Sequence, residues 1–177
     1  MRVSIITGGG SGIGAAVARR LAAQDPKDQC LMLHGQGADA AALERLKAVA
    51  AECRHAGAKV EWRSGDLGKE GTASELVRAT RAAFGAIDTI VHAAGFADRR
   101  GFLQLSRAEL EQPFAVMAAA FHELASAALP DLTCSPHGRV VAISSFAAHR
   151  FTPDSTYPAS AAAKARSEEH TSELQSQ

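Results

Sequence analysis

The sequence predicts an α/β fold in which a doubly wound parallel sheet forms the middle of three αβα layers. Two observations predict it. Short apolar runs alternate with helical patterns along the chain, which is typical of a parallel sheet covered on both faces. A glycine-rich turn also joins the first apolar run directly to the first helical pattern. Because crossovers between parallel strands are right-handed, the helices are expected to divide between the two faces of the sheet.

Apolar runs bounded by turn residues predict strands, and apolar residues at helical spacing predict helices. Strands are expected near residues 2–7, 29–34, 58–63, 87–92 and 138–144. Helices are expected near residues 13–24, 39–56, 70–84, 106–129 and from about 156 onward. The turn-rich segment 131–138 is expected to be a linker that precedes the fifth strand.

The composition indicates one domain and argues against two classes of partner. At 177 residues the chain is long enough to bury a sizeable core. Lysine plus arginine equals aspartate plus glutamate at 19 each, so the net charge gives no reason to expect a nucleic acid or an anionic membrane as partner. No apolar run approaches the ~20 residues of a membrane span.

The cysteines and the N-terminus indicate a cytoplasmic protein. The first strand begins directly after Met1, so we expect no signal peptide. Cys30, Cys53 and Cys134 are odd in number, far apart and without the spacing of metal ligands, so we expect reduced thiols. The seven histidines are scattered, and we expect no metal site.

The segment from Thr7 to Gly14 carries the strongest functional signal. It follows the apolar run 3–6 and opens a helical pattern with Ile13, Val17 and Leu21 on one face. Glycines let a backbone turn tightly and approach a pyrophosphate, and the helix N-terminus offers free N–H groups. A glycine-rich loop without a ligand is the alternative interpretation. The predicted dinucleotide-binding residues of this segment are Thr7, Gly8, Gly10, Ser11, Gly12, Ile13 and Gly14.

The spacing Thr-Gly-x-x-x-Gly-x-Gly resembles the short-chain dehydrogenase/reductase family, and three further segments resemble motifs of that family in the family order. Residues 65–67 resemble the Asp-Leu pair that contacts the adenine ring. Residues 87–95 resemble the fourth strand and its Asn-Asn-Ala-Gly motif, although His92 and Ala93 replace both asparagines. Residues 138–145 resemble the fifth strand, which ends in the catalytic serine. The resemblance covers about residues 1–165.

The resemblance implies a Rossmann-like fold and hydride transfer between NAD(P) and a small-molecule carbonyl, alcohol or activated C=C bond. Such sheets bind ligands at the carboxyl ends of their strands. Gly8, Asp66, Gly95 and Ser145 each follow a predicted strand, so we expect them to line one cleft. The cofactor-binding residues that the resemblance adds are Asp66, Leu67, Ala93, Ala94, Gly95, Tyr157 and Lys164.

The family's proton donor is usually a tyrosine, and a lysine one helical turn later lowers its pKa and holds the nicotinamide ribose. A phenol with a pKa near ~10 needs such a cation to work at neutral pH. Here Ala161 stands four residues after Tyr157, and the lysine is Lys164, seven residues after. Seven residues turn a helix by about 700°, so Lys164 returns to nearly the same face. Ser145, twelve residues before Tyr157, matches the catalytic serine.

Two variants of the family resemble this spacing. In enoyl-acyl-carrier-protein reductases six residues separate the tyrosine from the lysine, as they separate Tyr157 from Lys164. In dienoyl-CoA reductases a serine stands four residues before the lysine, as Ser160 does here. We therefore expect Lys164 to be the functional lysine and Tyr157 the proton donor, with Ser160 as the alternative donor.

A cofactor-binding sensor or scaffold without turnover is the alternative function. Two departures from the family pattern motivate it, Ala161 at the usual lysine position and Met117 where the family's helical asparagine is expected. A methionine cannot bind a relay water as an amide does. Met117 is interpreted instead as core or dimer-face packing.

The end of the second strand bears on the choice of cofactor. NAD-specific proteins usually have an acid there that binds the ribose 2′-hydroxyl. Residues 34–38 include no acid and no arginine, and Asp39 is expected to begin the next helix. His34 and Gln36 do not repel a 2′-phosphate, so the sequence favours NADP(H) over NAD(H).

The last twelve residues differ from the rest of the chain. The apolar periodicity stops after Ala165, and residues 166–177 resemble the translation of sequencing-adaptor DNA. We expect residues 1–165 to form a partial domain, incomplete at its C-terminus, and residues 166–177 to be a non-native tail. The resemblance implies a homo-oligomer in the full-length form. A fragment that does not fold alone is a further interpretation, because a sheet without its last strands leaves an unpaired edge.

Overall fold

The computed structural model describes residues 1–149 and 157–175. The strands are β1 (Arg2–Thr7), β2 (Gln29–Gly35), β3 (Lys59–Ser64), β4 (Thr89–His92) and β5 (Arg139–Ala142). The α-helices are α1 (Gly12–Gln24), α2 (Ala40–His55), α3 (Thr72–Phe84), α4 (Arg107–Phe114), α5 (Ala120–Cys134) and α6 (Pro158–Gln175).

All strand pairs of the described sheet are parallel, in the order β3-β2-β1-β4-β5. The predicted doubly wound fold is therefore confirmed. Thr7, the last residue of β1, is in register with His34 of β2 and with His92 of β4. The order of strands reverses beside β1, and in open α/β sheets the crevice at such a reversal binds the ligand.

Alternate residues of the central strands enter two separate cores. On one face, Ile6, Leu31 and Leu33 pack with residues of α1 and α2 such as Leu46. On the other face, Ile5, Met32 and Ile90 pack with residues of α3 and α5. Burial on both faces explains why these strands are apolar throughout rather than alternating.

The turn between β1 and α1 depends on glycines because the backbone is crowded there. Gly8 has φ +68°, and a Cβ on it would lie 2.8 Å from the carbonyl oxygen of Ala93 at the end of β4. A Cβ on Gly14 would lie 2.4 Å from the carbonyl oxygen of Gly8. Gly12 has φ +53°, but a Cβ there would meet no atom within 4 Å. The turn is thus packed against β4 on one side and open at the start of α1.

The helical region predicted for residues 106–129 is longer than expected. It begins with a capping box in which Ser106 and Glu109 satisfy each other's backbone N–H groups, and it continues through a π-helical segment, Ala115–Ala119, into α5. The prediction of a linker from residue 131 was wrong for 131–134. Leu132 is buried against the core, and that burial extends the helix past Pro130.

Helix α6 begins at Pro158, where the missing N–H of proline costs little. Position 156, where the helix was expected to begin, lies outside the described residues. Helix α6 continues past Ala165 to Gln175, and residues 176–177 lie outside the description. That residues 166–177 are a non-native tail stays a prediction. None of the described helices is long and apolar enough to cross a membrane.

Two histidines are buried at the ends of central strands. His34 and His92 are 2% and 1% exposed. Burial lowers the pKa of His34 to about 4. Burial, followed by the positive charge of Lys164, also lowers the pKa of His92 to about 4. Both imidazoles are therefore neutral in the folded protein at pH 7.

We expect Gly14→Ala to reduce the free energy of unfolding by about 2 kcal/mol, because the added methyl group overlaps the backbone of Gly8. The energetic cost of this overlap exceeds the gain in helix propensity from alanine. Gly12→Ala is the matched variant. The methyl group of this variant meets open space, and only the positive φ of position 12 is unfavourable, so the free energy of unfolding should fall by about 1 kcal/mol. Urea unfolding measures both, and an equal cost for the two variants would contradict the crowding of the turn.

We expect acid to destabilise the fold through the two buried histidines. Unfolded histidines take up protons near pH 6.5, whereas the folded ones do so only near pH 4. The unfolded chain therefore binds more protons in this window. Each histidine should remove about 2 kcal/mol from the free energy of unfolding between pH 7.5 and pH 5.

His92→Asn tests this, because asparagine does not titrate and can still bind Thr7. Urea unfolding at several pH values should show a shallower loss of stability in the variant than in the parent chain. Equal pH dependence of the free energy of unfolding in both proteins would show that His92 does not cause the loss of stability in acid.

Candidate active site

Two adjoining clefts open at the carboxyl edge of the sheet. The first has a volume of about 350 Å³ and lies between the β1–α1 turn, the end of β2 and the residues after β3. The second has a volume of about 360 Å³ and lies between the ends of β4 and β5 and the start of α6. Gly95 and Phe96 line both clefts, so a ligand can extend from one into the other.

The β1–α1 turn presents free backbone N–H groups. Ser11 precedes α1, and its side chain makes no capping hydrogen bond. The first amide of α1 with an intrahelical partner is that of Ala15, which donates to the carbonyl oxygen of Ser11. The uncapped amides and the helix dipole make this a suitable position for a phosphate. Of the predicted residues of this turn, Gly8, Gly10 and Ser11 line the first cleft.

The other predicted residues of the turn support the cleft rather than line it. Thr7 is fully buried, and its Oγ1 accepts a hydrogen bond from the Ala94 amide at 3.1 Å and lies 3.0 Å from His92 Nδ1. Thr7 thereby ties the end of β1 to the residues after β4. Gly14 allows close packing of the turn, Gly12 leaves its surface open, and the side chain of Ile13 is exposed.

Asp66 and Leu67 line the first cleft, as do Ala94 and Gly95, whereas Ala93 lines the second. The Asp66 carboxylate accepts a hydrogen bond from the Gly68 amide at 2.9 Å, which fixes the turn after β3. Leu67 is almost fully buried. The predicted cofactor residues from separate strands therefore converge at one edge, as their positions after the strands indicated.

Asp39 begins α2, as expected, because its carboxylate accepts a hydrogen bond from the Ala42 amide at 2.6 Å. Sequence reasoning missed Arg45, which lines the first cleft together with Ala42. Arg45 lies on α2, beyond the end of β2, and the first turns of α2 border the cleft. The three-residue spacing of Ala42 and Arg45 could have identified this residue once Asp39 was taken as the helix cap.

The four predicted catalytic residues all line the second cleft: Ser145, Tyr157, Ser160 and Lys164. Lys164 is partly buried, and its Nζ donates a hydrogen bond to the carbonyl oxygen of Ile143 beyond β5. Burial lowers the pKa of Lys164. A Cβ on Gly95 would lie 3.2 Å from Nζ, so the glycine makes room for the ammonium group.

The hydroxyl groups of the second cleft have different surroundings. Ser145 is exposed, and its Oγ accepts a hydrogen bond from the Ala147 amide at 3.3 Å, which caps the short helical turn Phe146–Ala148. Ser160 is 7% exposed, and its Oγ accepts a hydrogen bond from the Asp98 amide at 2.9 Å. Tyr157 is half-buried directly before Pro158, at the start of α6.

Two aromatic residues that sequence reasoning missed form walls of the second cleft. Phe96 is 42% exposed and Phe146 is 67% exposed, high values for such apolar side chains. Met117 is fully buried in the π-helical segment and packs in the core, which agrees with the interpretation as core packing. Within residues 1–149 and 157–175, no group of three potential ligand side chains could hold a metal ion.

Solved structures share this architecture. A metagenomic short-chain oxidoreductase in complex with NADP is 28% identical, with a TM-score of 0.84, over 98% of this chain and 73% of that one. A short chain dehydrogenase from Burkholderia cenocepacia J2315 in complex with NADP is also 28% identical, with a TM-score of 0.86, over 98% of this chain and 66% of that one.

Curated relatives are similar in sequence. An uncharacterized oxidoreductase of Mycobacterium tuberculosis is 33% identical over 149 residues, 81% of this chain and 52% of that protein. The 2,5-dichloro-2,5-cyclohexadiene-1,4-diol dehydrogenase LinX of Sphingobium indicum is 32% identical over 144 residues, 81% of this chain and 54% of that protein. The chain thus spans about half the length of these relatives. The family profile described as short chain dehydrogenase matches residues 2–177, and the chain belongs to this family.

Proposed function

We propose that this chain carries the cofactor site and the acid–base residues of an NAD(P)-dependent oxidoreductase. Its reaction is hydride transfer between a nicotinamide and a carbonyl, an alcohol or an activated C=C bond. The observation that carries the proposal is the continuity of the two clefts through Gly95 and Phe96. One cleft begins at an uncapped helix N-terminus, and the other holds a cluster of hydroxyl groups and an amine. The similarity to a diol dehydrogenase and to NADP complexes supports the same reaction class.

The residues of the first cleft fit a dinucleotide. The amides at the start of α1 suit the pyrophosphate, and the open space around Gly12 lets a phosphate approach the backbone. Asp66 and Leu67 suit the adenine end. In the second cleft, Lys164 suits the nicotinamide ribose. A bound nicotinamide supplies or accepts the hydride.

The proton is handled by residues of the second cleft. Tyr157 donates its phenolic proton to the substrate oxygen as that oxygen gains negative charge, and it takes the proton back in the reverse direction. We assign to Lys164 the role of the family's lysine, whose ammonium group favours the phenolate form of the proton donor. Ser145 uses its oxygen to accept from Ala147, so its own proton is free to donate to the substrate oxygen.

The first cleft favours NADP(H) over NAD(H) in this proposal. Arg45 and Gln36 line it near the end of β2, where the adenosine ribose of such sheets lies. A guanidinium group binds a phosphate by paired, charge-assisted hydrogen bonds. Asp39, which also lines the cleft, already accepts the Ala42 amide as the cap of α2.

A binding protein without turnover is the second candidate. Ala161 lines the second cleft at the position where the family usually has its lysine, so the spacing of Tyr157 and Lys164 is unusual.

Cytoplasmic localisation is also proposed, and the free state of Cys30, Cys53 and Cys134 supports it. The homo-oligomer implied by the family stays a prediction.

We expect the chain to oxidise NADPH in the presence of a ketone or an enoyl thioester, and Tyr157→Phe to lower that rate by at least about 100-fold, since the proton donor is lost. Absorbance of NADPH over a panel of these substrates measures the rate. Lys164→Ala should lower both the rate and the affinity for NADPH, because the ammonium group serves both.

Binding of NADPH without oxidation of any substrate would favour the second candidate. A rate that Tyr157→Phe leaves unchanged would instead assign the proton to another residue. Calorimetry with NADPH separates these outcomes from a chain that does not bind the cofactor at all.

We expect Arg45→Ala to weaken binding of NADPH about tenfold and to change binding of NADH by less than about twofold, because only NADPH carries the 2′-phosphate. Calorimetric titration with both dinucleotides measures this. Arg20→Ala, which removes an exposed arginine of α1 outside both clefts, is the matched control. An equal loss of affinity for NADPH and NADH in Arg45→Ala would show that the guanidinium group does not bind the 2′-phosphate.

A further inference from the structure

We call residues 95–101 the divider, because the first two residues of this segment lie where the two clefts meet. The divider follows β4, and its backbone belongs to no helix or strand. Gly95 and Phe96 line both clefts, and Ala97 lines the second. The position of this short segment therefore sets the passage between the first cleft and the hydroxyl cluster of the second. A segment without a hydrogen-bonded ladder opens readily unless other contacts hold it.

Two polar contacts hold the divider at its centre and at its end. The amide of Asp98 donates to Ser160 Oγ at 2.9 Å, which fastens the divider to α6. The Asp98 carboxylate accepts hydrogen bonds from the backbone amide and the Nε of Arg100, both at 3.0 Å. The Arg100 guanidinium in turn binds Glu109, a member of the capping box of α4.

Of these two contacts, the one between Asp98 and Ser160 bears more directly on the second cleft, because Ser160 lies on α6 close to Lys164. It stands four residues before Lys164, so both side chains lie on the same face of the helix. Gly95, at the start of the divider, packs against the Lys164 ammonium group, and Asp98, at its centre, binds Ser160. One face of α6 thus fixes the divider at two points. The Ser160 side chain is almost fully buried in doing so.

We propose that Ser160 is a positioning residue, whose hydroxyl holds the divider so that the two clefts stay aligned, and that Tyr157 alone donates the proton. This inference rests on the proposed function. It assigns different roles to two hydroxyl groups that the spacing to Lys164 could not distinguish. Loss of the Ser160 hydroxyl leaves the Asp98 amide without its acceptor, and the divider is then free to shift.

The test compares three variants of the full chain. Ser160→Ala removes the hydroxyl, and Ser160→Thr keeps it. Ser167→Ala is the matched control, because Ser167 is also buried on α6 but its hydroxyl donates to the carbonyl oxygens of Ala163 and Lys164 within the same helix. Thermal unfolding first establishes that each variant folds.

Amide hydrogen exchange at Asp98 is the direct measurement. Exchange should be about tenfold faster in Ser160→Ala than in the parent chain, and unchanged in Ser160→Thr and Ser167→Ala. In the proposed function NADPH spans both clefts, so its Kd should rise about tenfold in Ser160→Ala. Adenosine 2′,5′-bisphosphate would occupy only the first cleft, so its Kd should rise less than about threefold.

Unchanged exchange at Asp98 in Ser160→Ala would overturn the inference. So would a loss of turnover with an unchanged Kd for NADPH, because Ser160 would then act on the substrate. Failure of the proposed function has a different signature, since the parent chain itself would not bind NADPH. In that case the exchange at Asp98 alone decides whether Ser160 holds the divider.

Discussion

Close backbone packing between the β1–α1 turn and the end of β4 is the constraint on which the candidate site depends. Gly8 lies so near Ala93 that no side chain fits between them, and the Thr7 hydroxyl bonds the amide of Ala94. These contacts bring the start of α1 and the beginning of the divider to one point of the sheet edge. Both clefts are built around that point, and a larger separation of β1 from β4 would divide the site in two.

The sequence was sufficient to predict features that local patterns determine. The sequence pattern identified the five strands within about two residues. The signal is strongest in β1, β2 and β4, where burial on both faces leaves little freedom in their composition. The glycine spacing identified the first turn, since only glycine can occupy positions as crowded as Gly8 and Gly14. The positions of Asp66, Gly95 and Ser145 after three different strands were enough to bring them to one edge of a parallel sheet.

Features that depend on contacts between distant segments could not be predicted in this way. Arg45 lines the first cleft because α2 lies beside the end of β2, and the residues near that strand do not indicate where the helix lies. The contact between Ser160 and Asp98 joins residues 62 positions apart, and spacing to Lys164 alone made Ser160 look like a substitute for the tyrosine. The helix also continued past Pro130, because the burial of Leu132 outweighed the local turn signal.

The π-helical segment Ala115–Ala119 has a consequence for changes in chain length. A π turn accommodates one residue more than an α turn, so α5 is rotated relative to α4 by the angle of one residue, about 100°. Regular α geometry through all the present residues would turn Phe121, Leu124 and Ala128 by that angle, away from the core they now fill, whereas deletion of one residue from the segment would restore an α turn and leave them in place. The segment can therefore lose one residue more readily than it can gain one, because a further insertion would turn α5 away from the core or require a second π turn.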